Sequence, residues 1–182
     1  ARLLAQKLHQ AWGQAVFVDN RSGAGSTIGN ALVARATPDG YTLLLMSASL
    51  SVVPAIYRKL PYDTLKDLAP ISLLMHTPYV LVVHPSMPVK SVGGLIRLAK
   101  ARPGQISYGS AGAGTITHFT DELFKSMAKV DILHVPFKGG APSLAALMSG
   151  EVQMAMNVMP EVLPHVQAGG RMRALGVSSA KR

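Results

Sequence analysis

The sequence predicts an α/β fold arranged in two lobes. Apolar runs of strand length alternate with helical patterns along most of the 182 residues, and Gly and Pro punctuate the junctions. An extended stretch over residues 71–83, kinked at Pro78, is suited to connect one lobe to the other. Alternation of this kind predicts a mostly parallel sheet covered by helices on both faces, in which ligands bind beyond the carboxyl ends of the strands.

The first half of the chain contains five predicted elements. In order they are a helix over residues 3–12, a strand over 15–18, a helix over 27–36, a strand over 41–46 and a helix over 54–60. Gly13 is placed to end the first helix, and Pro38-Asp39-Gly40 is a turn signal before the second strand. Residues 47–53, small and polar, separate the last two elements.

The second half alternates more regularly. The apolar run over residues 79–83 is followed by helices over 92–101, 115–127, 142–148 and 160–168, and by strands over 106–108, 132–137, 152–156 and 172–178. Each strand in this half precedes a loop that opens the next helix, which is the arrangement that places ligands at the ends of the strands.

The composition is that of a globular protein with a basic excess. Apolar residues make up 48% of the chain and charged residues 15%, while Lys plus Arg outnumber Asp plus Glu by 18 to 9. A basic excess favours anionic partners. The basic residues are scattered, however, and only five Tyr and four Phe are available for base stacking, so nucleic acid is not the expected partner. No apolar run approaches the roughly 20 residues that a membrane-spanning helix needs.

The loop from Tyr108 to Thr115 is the most informative segment. Its glycines allow a sharp turn and a close approach of the backbone to a ligand. The first N–H groups of the helix that follows are unpaired in such an arrangement, and the helix dipole favours an anion there. Thr115 is a suitable N-cap residue for that helix. The alternative is that the glycines serve only a tight turn from strand to helix. The spacing of Gly109 and Gly114 matches a phosphate loop, but Thr115 stands in place of the essential lysine, so nucleotide hydrolysis is not supported.

A second glycine loop, over residues 23–29, keeps one rival function open. Its spacing resembles a dinucleotide-binding loop, and the rival is a nucleotide- or dinucleotide-dependent α/β enzyme. A dinucleotide-binding loop requires an Asp or Glu at the end of the next strand to bind the ribose. Residues 46–49 contain no carboxylate, which disfavours this function. A third interpretation is an interaction domain in which both glycine loops are only turns.

Catalytic and metal-binding motifs are not found. Without cysteine, neither a thiolate metal site nor a disulfide can form, and no histidine pair has the spacing of a metal-binding helix. No Gly-x-Ser-x-Gly motif is present, so a serine hydrolase of that type lacks its nucleophile. We therefore expect no enzyme, no metal and no cofactor. Of the six histidines, only His118, one turn inside the helix behind the glycine loop, is expected near a site.

Several motifs together resemble one family, the tripartite tricarboxylate transporter receptors, or Bug proteins, of the TctC type. They occur in order along nearly the whole chain: Val18-Asp19-Asn20-Arg21-Ser22-Gly23-Ala24-Gly25, Thr37-Pro38-Asp39-Gly40-Tyr41, Leu60-Pro61-Tyr62-Asp63, Tyr108-Gly109-Ser110-Ala111-Gly112, His134-Val135-Pro136-Phe137-Lys138-Gly139 and Arg173-Ala174-Leu175-Gly176-Val177. Their combination is specific, although each alone would not be.

The resemblance implies a periplasmic-binding-protein fold of type II, a Venus flytrap of two α/β lobes around a cleft. It implies a monomeric periplasmic protein that captures a small organic acid, without a cofactor, for the membrane permease of a tripartite transporter. Carried over by position, the ligand contacts would be Ser110, Ala111, Gly112, Gly114, Thr115 and His118 in the second lobe, Ser47, Ala48 and Ser49 in the first, and Asn157 near the hinge.

The sequence departs from the family pattern at its ends. Family members usually open with a strand and a Pro-Gly-Gly loop and continue well past Arg182, whereas this chain opens inside a helical pattern without Met or a signal peptide. We therefore expect a chain truncated at both ends. On this interpretation residues 1–77 form part of lobe I, 78–178 form lobe II, and 179–182 begin the return to lobe I.

Overall fold

A computed structural model describes residues 1–21, 23–167 and 170–179 of the chain. The chain forms two compact units, of which the first is Ala1–Pro70 and the second begins at Ile71. The assignment of these units to two lobes, with the boundary at residues 77 and 78, stays a prediction.

The first unit is helical in its described residues. Its helices are α1 (Arg2–Trp12), α2 (Thr27–Ala34) and α3 (Ser49–Ile56), with one turn of 3₁₀ helix at Ala24–Ser26. Gly13 ends α1 as predicted, with φ 65° and an N–H that donates to the His9 carbonyl. A small core joins α2 and α3, and Asn30 Nδ2 donates to the Tyr62 hydroxyl at 3.0 Å inside it.

Two strands predicted in this unit are wrong. Residues 15–18 and 41–46 form no strand, and Phe17 and Tyr41 are 89% and 92% exposed. A β-strand forms by hydrogen bonding to a neighbouring strand. Among the described residues, neither segment has a neighbouring strand to pair with. The apolar run supplied only the local preference for an extended chain.

The predicted helix over residues 54–60 is also wrong in its bounds. The observed α3 begins five residues earlier, and Pro54 lies inside it instead of opening it. Leu50 and Val53 are 6% and 0% exposed. Burial of this apolar face stabilises helical turns before Pro54, so the helix begins earlier than predicted. Within eight residues the missing N–H of Pro54 removes only one helical hydrogen bond.

The second unit is built on a five-stranded sheet. Its strands are β1 (Tyr79–Val83), β2 (Ser107–Ser110), β3 (Leu133–Pro136), β4 (Met154–Val158) and β5 (Arg173–Val177), in the spatial order β3-β2-β4-β1-β5. Strand β2 runs parallel to β3 and β4, while β1 is antiparallel to β4 and β5. Four strands therefore share one direction, which confirms the predicted mostly parallel sheet. The predicted extended segment over residues 71–74 is not part of it.

Four helices cover the two faces of this sheet. They are α4 (Val92–Ala101), α5 (Ile116–Ala128), α6 (Gly140–Ser149) and α7 (Met159–Gln167). Alternate residues of β1 point to opposite faces: Leu81 belongs to the core under α4 and α5, and Val82 to the core under α6 and α7. The helix over 92–101 is confirmed in both bounds, and the end of the last predicted helix, Ala168, lies outside the described residues.

The sheet brings three strand ends together. Because β2, β3 and β4 are parallel, Ser110, Pro136 and Val158 end at the same edge. The loops that follow lead into α5, α6 and α7. The antiparallel β1 starts at this edge with Tyr79, which pairs with Val158.

Candidate ligand-binding loops

The loop between β2 and α5 requires glycine at two positions. Gly112 has φ 126° and Gly114 has φ 78°, a region that other residues rarely adopt. A Cβ on Gly112 would lie 3.1 Å from the carbonyl oxygen of Phe137. The backbone of this loop is therefore packed against the loop that follows β3, and a side chain at Gly112 would press on the Phe137 carbonyl.

Side chains of this unit already hold three amides of the loop. The N–H groups of Ala111, Gly112 and Gly114 donate to Thr117 Oγ1 at 2.9 Å, Ser110 Oγ at 3.1 Å and His118 Nδ1 at 3.3 Å. Thr115 caps α5 as predicted, with its Oγ1 accepting from the His118 N–H. These three amides are therefore satisfied within the protein, and the predicted unpaired groups have to be sought among the first N–H groups of α5.

Three other N–H groups at the same place have no partner among the described residues, although Thr117 itself is buried. Within the described residues, those of Ala113, Ile116 and Thr117 have no protein acceptor. Ala113 is exposed, and no acidic side chain lies in the first turn of α5. Free amides at the positive end of a 13-residue helix favour a negatively charged group.

Behind the loop, two histidines and a tyrosine stack. The His134 ring lies 4.8 Å from the Tyr108 ring and 4.2 Å from the His118 ring, centroid to centroid, with interplanar angles of 17° and 23°. His134 Nε2 is 2.7 Å from Ser110 Oγ. The Tyr108 hydroxyl donates to Glu122 at 2.6 Å, and Lys125 Nζ donates to the same carboxylate oxygen at 2.7 Å.

Burial and neighbouring charge make His134 a neutral group. Burial first, and then the adjacent His118, lower the pKa of His134 to about 4. Burial opposes ionisation of Glu122, but its hydrogen bonds from Lys125 and Tyr108 hold the pKa of that carboxyl below its usual value. His134 was not predicted to lie near a site. It lies opposite Tyr108 because β3 pairs with β2, and the sequence does not reveal that pairing.

The loops after β3 and β4 adjoin the first one. The Phe137 N–H donates to the Ser110 carbonyl at 3.0 Å, and the Gly139 N–H to the Ala111 carbonyl at 3.1 Å. Asn157, on β4, is only 4% exposed, and its Nδ2 would lie 3.2 Å from a Cβ on Gly140. The predicted site residues of the second unit therefore lie at the end of β2, in the loop that follows it, at the start of α5 and near the end of β4.

The three predicted contacts of the first unit lie at the start of α3. Ser47 Oγ and Ser49 Oγ are 2.7 Å apart, and Ala48 is the N-cap residue, whose carbonyl accepts from Ser51 Oγ at 2.7 Å. Ser47 and Ala48 are exposed, whereas Ser49 is buried. Their role as ligand contacts stays a prediction.

One buried carboxyl lies deeper in the unit. Asp121 on α5 is fully buried, its Oδ2 accepts from the Met156 N–H at 3.4 Å, and its Oδ1 has no partner. Burial raises the pKa of Asp121 well above its usual value. The pKa of Asp121 is therefore higher in the folded protein than in the unfolded chain. The protonated carboxyl contributes to the free energy of folding at pH values below the unfolded pKa, and this contribution is lost as the pH rises through the folded pKa.

Asp121→Asn is therefore expected to stabilise the protein at pH 7 by about 1–3 kcal/mol, because it removes a buried charge that lacks compensation. The gain should shrink as the pH falls towards 4, where the native carboxyl is neutral. Chemical denaturation at several pH values measures it. Asp131→Asn, at an exposed carboxyl, is the matched control and should show no such pH dependence. A gain that does not vary with pH would contradict the assignment of the cost to charge.

Other kinds of site find no support in the described residues. They contain no group of three or more His, Asp or Glu side chains placed to hold a metal ion. Over the same residues, no helix has both the length and the apolar character to cross a bilayer.

The comparison with known families settles the kinship. A family model described as tripartite tricarboxylate transporter family receptor matches residues 1–182. The chain belongs to this family. The resemblance seen in the sequence motifs is thereby confirmed, and kinship to receptors decides against the dinucleotide-dependent enzyme.

Relatives in this receptor family match the whole chain. Protein BugT of Bordetella pertussis is 39% identical over 184 residues, which cover 100% of this chain and 56% of BugT. The solved structure of Rpa4515 of R. palustris with adipate is 37% identical with a TM-score of 0.93, covering 100% of this chain and 60% of that one. MatC (Rpa3494) of Rhodopseudomonas palustris with bound malate is 29% identical with a TM-score of 0.91, covering 100% and 62%.

These similarities confirm the predicted periplasmic-binding-protein fold. The chain spans somewhat more than half the length of the receptors it matches. Two of the matching structures are described as periplasmic proteins, a periplasmic transporter at 38% identity and the periplasmic binding protein BugD at 31%.

Proposed function

We propose that this protein is an extracytoplasmic receptor that captures a small organic acid reversibly and without chemical change. The observation that carries the proposal is the set of three free N–H groups, of Ala113, Ile116 and Thr117, at the start of α5. Charge-assisted hydrogen bonds from such amides to a carboxylate are stronger than those between neutral groups. The adipate and malate in two related structures support an acid as the ligand.

The proposal extends to the rest of the receptor. Ser47, Ala48 and Ser49 would contribute from the first lobe, and the two lobes would close over the acid in the cleft between them. The protein would act as a monomer in the periplasm and present its ligand to the permease of a tripartite tricarboxylate-type transporter. The family membership and the periplasmic relatives support these parts.

Calorimetric titration of the full-length protein tests the proposal. Malate, adipate and citrate are the acids, and the corresponding uncharged amides are the comparison. We expect saturable binding of at least one acid and none of its amide, because the free N–H groups and the helix dipole favour negative charge. Saturable binding of the amides alone would overturn the proposal.

A single substitution can remove one of the three N–H groups. Ile116 is the first residue of α5, where proline is favoured, and Thr115 before it has φ −80° and ψ 163°, as a residue before proline requires. Ile116→Pro is expected to weaken acid binding by about 10- to 100-fold, the effect of losing one hydrogen bond to a charged group.

Ile116→Ala is the matched control, because it shortens the same side chain and keeps the N–H. Its affinity for the acid should stay close to that of the wild type. Equal losses in both variants would show that the side chain matters and the amide does not.

A further inference from the structure

Two amides of the glycine loop depend on two imidazoles that stack on each other. The Gly114 N–H is held by His118 Nδ1, and the Gly112 N–H by Ser110 Oγ, which is in turn 2.7 Å from His134 Nε2. We propose that His118 and His134 are positioning residues for this loop, and that a proton on His118 releases Gly114 and weakens capture of the acid. The effect on capture rests on the proposed function; the effect on the loop does not.

The contact with Gly114 requires a particular state of His118. Its Nδ1 can accept an N–H only when it carries no proton, so the neutral ring must carry its hydrogen on Nε2. A second proton would place an N–H at Nδ1 directly against the Gly114 N–H. Gly114 is buried, so its amide would lose its acceptor without gaining water, and the loop would have to turn to satisfy it.

The contact with Gly112 runs through a hydroxyl. Ser110 is fully buried, and its Oγ has one hydrogen to donate. Because Oγ accepts the Gly112 N–H, its own hydrogen can point to His134 Nε2 when that nitrogen is bare. Neutral His134 then orients the hydroxyl so that its lone pair faces Gly112, and it acts on the loop only through Ser110.

The stack decides which ring takes a proton. Two charged imidazoles 4.2 Å apart repel, and burial already keeps the pKa of His134 near 4. The other ionisable groups around the pair are Glu122 and Lys125, which lie with His118 on α5, and Tyr108 on β2. Glu122 favours a proton on the pair and Lys125 opposes it. Burial therefore keeps His134 neutral, and the proton of this inference is assigned to His118.

The loop itself gives a readout that needs no ligand. The ¹⁵N amide signals of Gly112 and Gly114 and the ring signals of His118 are followed by nuclear magnetic resonance from about pH 5 to 8, the range of histidine titration. We expect the Gly114 amide to shift with the same midpoint as the His118 ring. A Gly114 signal that stays constant while the ring titrates would overturn the inference.

Matched variants separate positioning from packing. His118→Asn places an amide oxygen near the site of Nδ1 and cannot titrate, so the Gly114 shift should disappear while the loop keeps its form. His118→Phe keeps the stacked ring and loses the acceptor, so the Gly114 signal should move at all pH values. His134→Gln should keep the Gly112 signal close to that of the wild type, and His134→Phe should displace it. A His118→Asn protein that titrates like the wild type at Gly114 would contradict the role of His118.

Affinity for malate, measured over the same pH range, tests the effect on capture. Between pH 8 and pH 5 the wild type should lose about tenfold more affinity than His118→Asn, a ratio in which titration of malate itself cancels. Equal losses, with the Gly114 shift present, would refute the coupling to capture. If no acid binds any variant while the Gly114 signal titrates, the proposed function fails and the positioning role stands.

Discussion

Tyr108→Ala is expected to lower the free energy of unfolding by about 3–5 kcal/mol, the cost of truncating a buried aromatic side chain. Tyr108 is fully buried in the core beneath α4 and α5, and it stacks on His134. Its truncation leaves a cavity beside β3 and removes the hydroxyl that binds Glu122. The loss of unfolding free energy should therefore exceed the loss from removing any single contact of Tyr108.

The measurement must report on the second unit. The single tryptophan, Trp12, lies on α1 of the first unit, so its fluorescence does not follow the core that contains Tyr108. Denaturation followed by far-ultraviolet circular dichroism is suitable. Tyr108→Phe is the control: it keeps the stacked ring and loses one hydrogen bond to a charged group, with an expected cost of about 1.5–3 kcal/mol. An alanine variant as stable as the phenylalanine variant would refute the packing role.

Gly112→Val is expected to weaken acid binding by at least about 100-fold, because it displaces the backbone that carries the free amides. The residue needs φ 126°, which valine rarely adopts, and its Cβ would lie 3.1 Å from the Phe137 carbonyl. The loop must therefore move away from β3. Titration with the acid that the wild type binds gives the affinity.

Gly40→Val is the matched control for backbone strain. Gly40 also has a positive φ, of 85°, but nothing lies within 4 Å of a Cβ at this exposed turn. It should lose stability without loss of affinity. If Gly112→Val destabilises the protein to the same degree and binds the acid normally, the glycine loop is only a turn.

The sequence predicted the second unit better than the first. There the strands and helices follow in the predicted order. The helix α4 starts at Val92 as predicted, because the Ser91 side chain caps it by accepting from the Gly94 N–H, and it ends at Ala101 as predicted. In the first unit, the apolar runs at residues 15–18 and 41–46 suggested strands that are not formed. Local patterns determine an element when its cap and its buried face are local, and they fail when the element needs a partner strand.

The candidate site divides in the same way. The sequence by itself determined the family, the glycine loop before α5, the cap at Thr115 and the placement of His118 beside the loop. Only the tertiary structure decided which amides of that loop are free, since Ala111, Gly112 and Gly114 are satisfied by side chains and Ala113, Ile116 and Thr117 are not. It also revealed His134, which reaches Ser110 from 24 residues away. The side chains that hold the three satisfied amides lie only two to six residues away along the chain, but these bonds form only in the folded shape of the loop, which the sequence pattern does not specify. The contact between Ser110 and His134 depends on the pairing of β2 with β3, and no spacing within a single segment encodes that pairing.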